Sequence, residues 1–286
     1  MEKTSLKNWQ LFSERHNSRN YMSLDHKWLL KTSSDKVTIP LSSLEEEYEL
    51  NKDILALGVA TPKIKGIVEI EEGGLGIIYE YIDGKKSYSR AIGEDESRLD
   101  SLMKSFATMG KELHSIPCDT NKFPNIEDKM YTYIDMSKHF TDKEKNVMRD
   151  FISKVEKKTT CLHGDFQISN AITSPSRDYF IDLGMLSYGN ELYDIGFWYL
   201  FSNFNHKGIM AEHFFHMPEE RIKKCFDTFL RYYYNIKDDK EIEDKKEMLK
   251  PYAMIGIFPF CINDDRDDYL LAIKEHFFND AFSKYL

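Results

Sequence analysis

The residues best equipped for chemistry lie in two short segments. His163-Gly-Asp165-Phe-Gln-Ile-Ser-Asn170 holds a carboxylate and an amide five residues apart, and Tyr179-Phe-Ile-Asp182-Leu-Gly184 follows with a second carboxylate. The apolar pair Cys161-Leu162 ahead of His163 predicts a strand that delivers a polar loop. A hairpin across Ser174-Pro-Ser-Arg-Asp178 is then expected to return Asp182 beside Asn170, so that Asp165, Asn170 and Asp182 border one cleft. Such a set suits phosphoryl transfer. One carboxylate orients a substrate hydroxyl and accepts its proton, while oxygen ligands hold magnesium against nucleotide phosphates. A lone Asp in a loop is more simply a turn residue or helix cap, so the combined spacing carries the reading.

Several elements must position these residues. Lys27-Trp-Leu-Leu-Lys31 reads as a short strand after the turn Ser23-Leu-Asp-His26. From Leu44 to Leu57 apolar residues recur at helical spacing, Gly58 follows as expected just past a helix end, and Pro62 bars continuation. The runs Ile64–Ile70 and Leu75–Ile82 flank Glu71-Glu-Gly-Gly74 and predict a hairpin. Asp83-Gly84 marks a turn and a lobe boundary, giving an N-terminal lobe over 1–83 and a C-terminal lobe over 84–286. Beyond it Leu99, Leu102, Met103, Phe106, Met109 and Leu113 share a helix face, and Thr141-Asp-Lys-Glu144 fits a capping box. Helices are expected over Asp194–Phe204, Pro218–Tyr234, Glu241–Met254 and Asp267–Tyr285.

The pattern H-x-D-x-x-x-x-N followed by D-x-G resembles the aminoglycoside phosphotransferase and choline kinase-like family, a small-molecule branch of the protein-kinase-like fold. Gly164 stands where protein kinases carry Arg. The resemblance implies an α+β, two-lobed fold with a small, mainly antiparallel-sheet N-lobe and a larger, mainly helical C-lobe, using ATP and magnesium. By the same resemblance Asp165 is the catalytic base or hydroxyl-orienting residue, Asn170 and Asp182 are magnesium ligands, and His163 holds the loop in shape. Lys31 matches the lysine that contacts nucleotide phosphates, and Glu47 its acidic partner, although Glu45, Glu46 and Glu49 crowd the same helix. Tyr79-Glu80-Tyr81-Ile82 resembles the hinge whose backbone hydrogen-bonds adenine, which assigns Glu80 and Ile82 to nucleotide binding. Gly189-Asn-Glu-Leu-Tyr-Asp194 resembles a G-D-P-x-x-D segment whose last Asp braces the catalytic loop, though Asp194 is also a natural N-cap. His114 matches another family position and reads as a structural histidine. The resemblance runs from about Arg15 to Leu200. It departs at the nucleotide loop, Glu14 to Met22, which has no glycine; Asn17, Ser18 and Asn20 with Arg15 or Arg19 stand there instead.

Composition bounds the remaining choices. The 286 residues are 41% hydrophobic and 30% charged, the balance of a globular protein. A net charge of −9 argues against non-specific nucleic-acid binding. No apolar run approaches the roughly 20 residues of a membrane span, and the start of the chain lacks a secretory hydrophobic centre, so a cytoplasmic protein without membrane partners is expected. Four scattered cysteines without a C-x-x-C pair argue against zinc and disulfide frameworks. The resemblance implies a small-molecule acceptor as the partner. Asn263-Asp-Asp-Arg-Asp-Asp268 would suit a cationic one, such as an aminoglycoside or choline-like amine, yet acids at a helix start are also explained by the macrodipole. Tyr193, Trp198, Tyr199, Phe201, Phe204, Phe214 and Phe215 read as core, with an aromatic wall for an ammonium group as the alternative. A catalytically silent kinase-like nucleotide-binding module stays open. A protein kinase is a third reading, ranked below the other two because Gly164 replaces Arg and no long segment ending in A-P-E follows Asp182.

Overall fold

The computed structural model describes residues 1–14, 18–33, 44–203, 215–263 and 267–286. The expectations placed on Arg15, Asn17, Phe204, Phe214, Asp264, Asp265 and Arg266 lie outside these residues. The chain divides into two compact units, one of Met1–Lys86 with Ile172–Gly184, the other of Ser87–Ala171 with Met185–Leu286.

In the first unit, β1 (Glu2–Thr4), β2 (Trp9–Glu14), β3 (Ser18–Ser23), β4 (Trp28–Ser33), β5 (Ile64–Ile70) and β6 (Leu75–Glu80) form one sheet in the order β1-β5-β6-β4-β3-β2. All neighbours are antiparallel except β1 and β5. Alternation along β4 decides which side chains serve the core and which remain for chemistry. Trp28 and Leu30 fall on one face, where Leu30, Val68 and Ile78 are buried with Trp9 and Tyr21 against them. Leu29 and Lys31 fall on the other. Helix α1 (Leu44–Ala56) packs on β5 and β6 through a buried Ile54, and Gly58 ends it at φ +83°, a conformation L side chains rarely adopt. The strands β1, β2 and β3 carry no apolar alternation that would have marked them; β2 lies at the sheet edge with Leu11 and Phe12 exposed. The strands Ala171–Thr173 and Tyr179–Phe180 neighbour each other. Their residues Ile172 and Tyr179 pack with Ile82, and the Phe180 amide donates to the Ala60 carbonyl at 2.7 Å. This is why Ile172–Gly184 belongs to the first unit.

The second unit is mainly helical: α2 (Tyr88–Glu94), α3 (Leu99–Leu113), α4 (Ile126–Met136), α5 (Asp142–Lys154) and α6 (Leu192–Asn203), followed by Glu219–Tyr234, Asp239–Gly256, Phe258–Asn263 and Asp267–Ala281. Helix α3 buries the face that the spacing predicts. Thr141 opens α5 with both halves of the capping box present. Helix α4, capped by Asn125, is not visible as a period because Glu127, Asp128 and Lys129 interrupt its start. Helix α6 is buried on nearly every side, as an element apolar all round must be. Its Trp198 sits with Phe106, Phe166 and Phe229 in a ring cluster, Phe106 stacked on Phe166 at 4.5 Å. Among the described residues no helix is long and apolar enough to cross a membrane.

Candidate active site

The first unit assembles one polar group. Lys31 Nζ lies 2.7 Å from Glu47 Oε1, both side chains being largely buried. Of the four glutamates on α1, Glu47 meets Lys31, while Glu49 pairs with Lys52. The Tyr79 hydroxyl donates to the same Glu47 oxygen at 2.9 Å, and Asn51 Nδ2 donates to the Glu47 carbonyl at 2.8 Å and to the Tyr79 oxygen at 3.3 Å. Burial, then the Glu47 charge and its hydrogen bond, then Asp182 push the Tyr79 phenol well above its ordinary pKa, so it stays a donor. Tyr79 and Asn51 are additions to the sequence reading; only the register of β6 beside β4 and the turn of α1 bring them to Glu47.

Glu80 ends β6 with its amide donating to the Lys63 carbonyl at 2.8 Å, so of the two hinge residues it is the one whose N–H is already engaged. The Ile82 side chain is buried with Ile172 and Tyr179, and no described residue hydrogen-bonds to its backbone. On either side of residues 15–17, where the nucleotide loop is expected, Arg19 Nε donates to Glu14 Oε1 at 3.2 Å and Asn20 Nδ2 to Ser13 Oγ at 3.2 Å. Asp182 also lies in this unit. It is exposed, holds φ +64°, and its carboxylate meets no hydrogen-bonding or ionic partner among the described residues. A left-handed Asp is a strained residue that the fold nonetheless maintains.

The second unit builds the loop around Asp165. Strand Thr160–Leu162, paired antiparallel with Ser187–Gly189, buries Cys161 and Leu162 and delivers the chain to His163. Gly164 makes the turn at φ +82°, where a β-carbon would collide with the Met185 carbonyl oxygen. Both Asp165 oxygens are held: Gln167 Nε2 donates to Oδ1 at 3.1 Å and Asn170 Nδ2 to Oδ2 at 2.7 Å. Asn170 Nδ2 also reaches the Asp165 carbonyl at 3.0 Å, and Ser169 Oγ donates to Gln167 Oε1 at 2.7 Å. Gln167 and Ser169 go beyond the sequence reading, since nothing in their types separates them from loop filler. Phe166 anchors the loop by entering the ring cluster, and Gly110 leaves the room for it.

The loop's back is fixed from α6. Asp194 Oδ2 accepts from the His163 amide at 2.6 Å and Oδ1 from the Gly164 amide at 2.9 Å. Asp194 lies within α6 and turns to the loop, so it is no helix cap. His163 Nδ1 accepts from the Asp165 amide at 3.3 Å. His114 Nε2 sits 3.1 Å from Asp194 Oδ2.

As to metal, no group of three or more His, Cys, Asp or Glu side chains among the described residues could hold an ion alone. The donor chemistry at hand is oxygen only: an unpartnered carboxylate at Asp182, and an amide at Asn170 whose nitrogen is spent on Asp165, leaving its oxygen without a described donor. Each, in its own unit, is an oxygen donor of the type that hard magnesium takes.

The architecture is kinase-like. The chain is similar in structure to aminoglycoside phosphotransferase APH(4)-Ia, with a TM-score of 0.67 and 12% identity over 95% of this chain and 93% of that one. It is also similar to an ethanolamine kinase from Plasmodium vivax, with 0.56 and 17% over 96% and 78%. A third is the choline kinase LicA from Streptococcus pneumoniae, with 0.52 and 15% over 92% of each. At these identities the likeness is one of fold. Residues 8–217 match the sequence model of the phosphotransferase enzyme family, and the chain belongs to that family. No curated protein matches its sequence.

Proposed function

We propose that the protein transfers the γ-phosphoryl group of ATP to a hydroxyl of a small molecule, with Asp165 orienting that hydroxyl and accepting its proton. The observation that carries this reading is the double tether of the Asp165 carboxylate by Gln167 and Asn170, on a loop locked from behind by Asp194. Phosphoryl transfer demands positioning more than covalent chemistry, and a half-buried carboxylate held at both oxygens still has lone pairs for an incoming hydroxyl. Lys31, oriented by Glu47 and Tyr79, would meet the nucleotide phosphates, and the backbone at Glu80 and Ile82 the base. Asn170 and Asp182 would hold magnesium, which supplies charge neutralisation at the phosphates. The acceptor is a small molecule such as an aminoglycoside, an amino alcohol or a sugar; a net charge of −9 would tolerate a cationic one but is explained as well by solubility.

The test is an ATP- and GTP-consumption assay with magnesium across aminoglycosides, amino alcohols and sugars, on the wild type and Asp165→Asn. The variant is expected to lose about 10²-fold or more in kcat and to keep its ATP affinity by calorimetry. Its amide must face either Gln167 or Asn170 with a second donor, so a melting shift of roughly 2–4 °C is expected. Undiminished turnover removes Asp165 from the chemistry. ATP binding without turnover on any acceptor would favour a silent nucleotide-binding module.

A further inference from the structure

The hydrogen bonds behind the Asp165 loop do not stop at His114. They reach a hydroxyl on the helix Glu219–Tyr234. Tyr233 Oη lies 2.8 Å from His114 Nδ1, while His114 Nε2 faces Asp194 Oδ2 at 3.1 Å. The His114 side chain is 3% exposed and that of Asp194 2%, so water does not stand in for a missing partner. Asp194 already accepts from the His163 and Gly164 amides.

Chemistry fixes the protons along this chain. An ionised carboxylate only accepts, so His114 Nε2 must carry the hydrogen aimed at Asp194. A neutral imidazole then presents a bare lone pair at Nδ1, and Tyr233 O–H is the donor placed to fill it. Burial first, then Tyr234, Glu191 and Asp194, raise the Tyr233 phenol far above its ordinary pKa, which keeps it a donor. The other tautomer would turn a bare Nε2 lone pair on the carboxylate. The carboxylate therefore sets the Nε2–H form, and the Tyr233 hydroxyl, by filling Nδ1, fixes the ring in the orientation that holds Asp194.

We infer that Tyr233 is a positioning residue for the proposed phosphoryl transfer: it acts through the His114 ring and Asp194 to hold the His163–Gly164 turn that presents Asp165. The inference rests on the catalytic reading of Asp165, and its test has one arm independent of that reading. Nitrogen NMR of the His114 ring is expected to show Nε2–H with a hydrogen-bonded Nδ1 in the wild type, and in Tyr233→Phe an Nδ1 resonance moved to that of an unbonded lone pair. In the assay, Tyr233→Phe is expected to lower kcat about 10- to 100-fold, as for a small misplacement of a reacting group, with the nucleotide KM within about twofold. A double-mutant cycle separates a relay from packing. On a His114→Gln background the same Tyr233→Phe change should cost nothing further. An Nδ1–H tautomer in the wild type overturns the inference, as does unchanged kcat in Tyr233→Phe, or an undiminished loss on the Gln background. Should Tyr233→Phe not fold, the wild-type tautomer decides alone. Should no acceptor be found, the tautomer still tests the relay while the phosphotransfer reading fails separately.

Discussion

Gly164→Ala isolates the backbone requirement of the loop. Residue 164 holds φ +82°, and a β-carbon there would lie against the Met185 carbonyl oxygen and 2.7 Å from Met185 Cβ. A left-handed backbone costs an L residue about 1–2 kcal/mol, and forcing a methyl into a filled site costs about 1–3 kcal/mol more. The sum is roughly 2–5 kcal/mol, since the obstructing atom is backbone and cannot rotate away. At about 2–4 °C per kcal/mol for a chain of this size, the melting temperature should fall by roughly 4–20 °C. Because the Gly164 amide donates to Asp194 at 2.9 Å, relief of the clash also shifts the loop, and turnover should fall with stability. Gly66 provides the control: it has no positive φ and nothing within 4 Å of its would-be β-carbon, so Gly66→Ala should lie within about 0.5 kcal/mol of wild type. Urea and thermal unfolding of both variants, with the phosphate-transfer assay, complete the comparison. A Gly164→Ala protein as stable as wild type would refute the geometric argument, and with it the explanation of why Arg cannot stand at this position.

Further outcomes are expected elsewhere. Glu47→Gln removes the charge that orients Lys31 at 2.7 Å and should raise the nucleotide KM about tenfold, the equivalent of losing one charge-assisted hydrogen bond; an unchanged KM would separate the pair from nucleotide binding. Asp182→Ala breaks no hydrogen bond to a described residue, so it should leave stability within roughly 1 kcal/mol while abolishing magnesium-dependent turnover, checked by melting and by a magnesium titration. Thr141→Ala should cost about 1 kcal/mol through loss of the α5 cap. Burial works to raise the Glu144 pKa, but the Lys274 and Thr141 hydrogen bonds outweigh it and hold the carboxyl below its ordinary value of 4.5. A depressed folded pKa gives stability that is present above 4.5 and lost as pH falls through the folded value. The stability difference between wild type and Thr141→Ala should therefore shrink below that pH, read by urea unfolding at stepped pH.

The sequence by itself determined the parts of this protein whose physics is local. The loop from His163 to Asn170, the α5 capping box at Thr141, the α1 end at Gly58 and the buried face of α3 each follow from spacing or from one residue's conformational preference. What the tertiary structure decided are matters of register and return. Which of the four glutamates on α1 meets Lys31 depends on how that helix lies on β5 and β6, and Glu47 is selected by packing rather than by type. The edge strand β2 and its neighbour β3 hold together by backbone pairing, and without apolar alternation their sequences carry no signal. Asp194 could have capped its helix; the folded chain instead turns its carboxylate to two amides thirty-one and thirty residues away in sequence. The segment Ile172–Gly184 joins a unit whose other residues all precede 87, because Ile172 and Tyr179 bury against Ile82. Long-range burial and long-range hydrogen bonds leave no period in the chain, and only the folded structure brings Tyr233 to His114 across 119 residues.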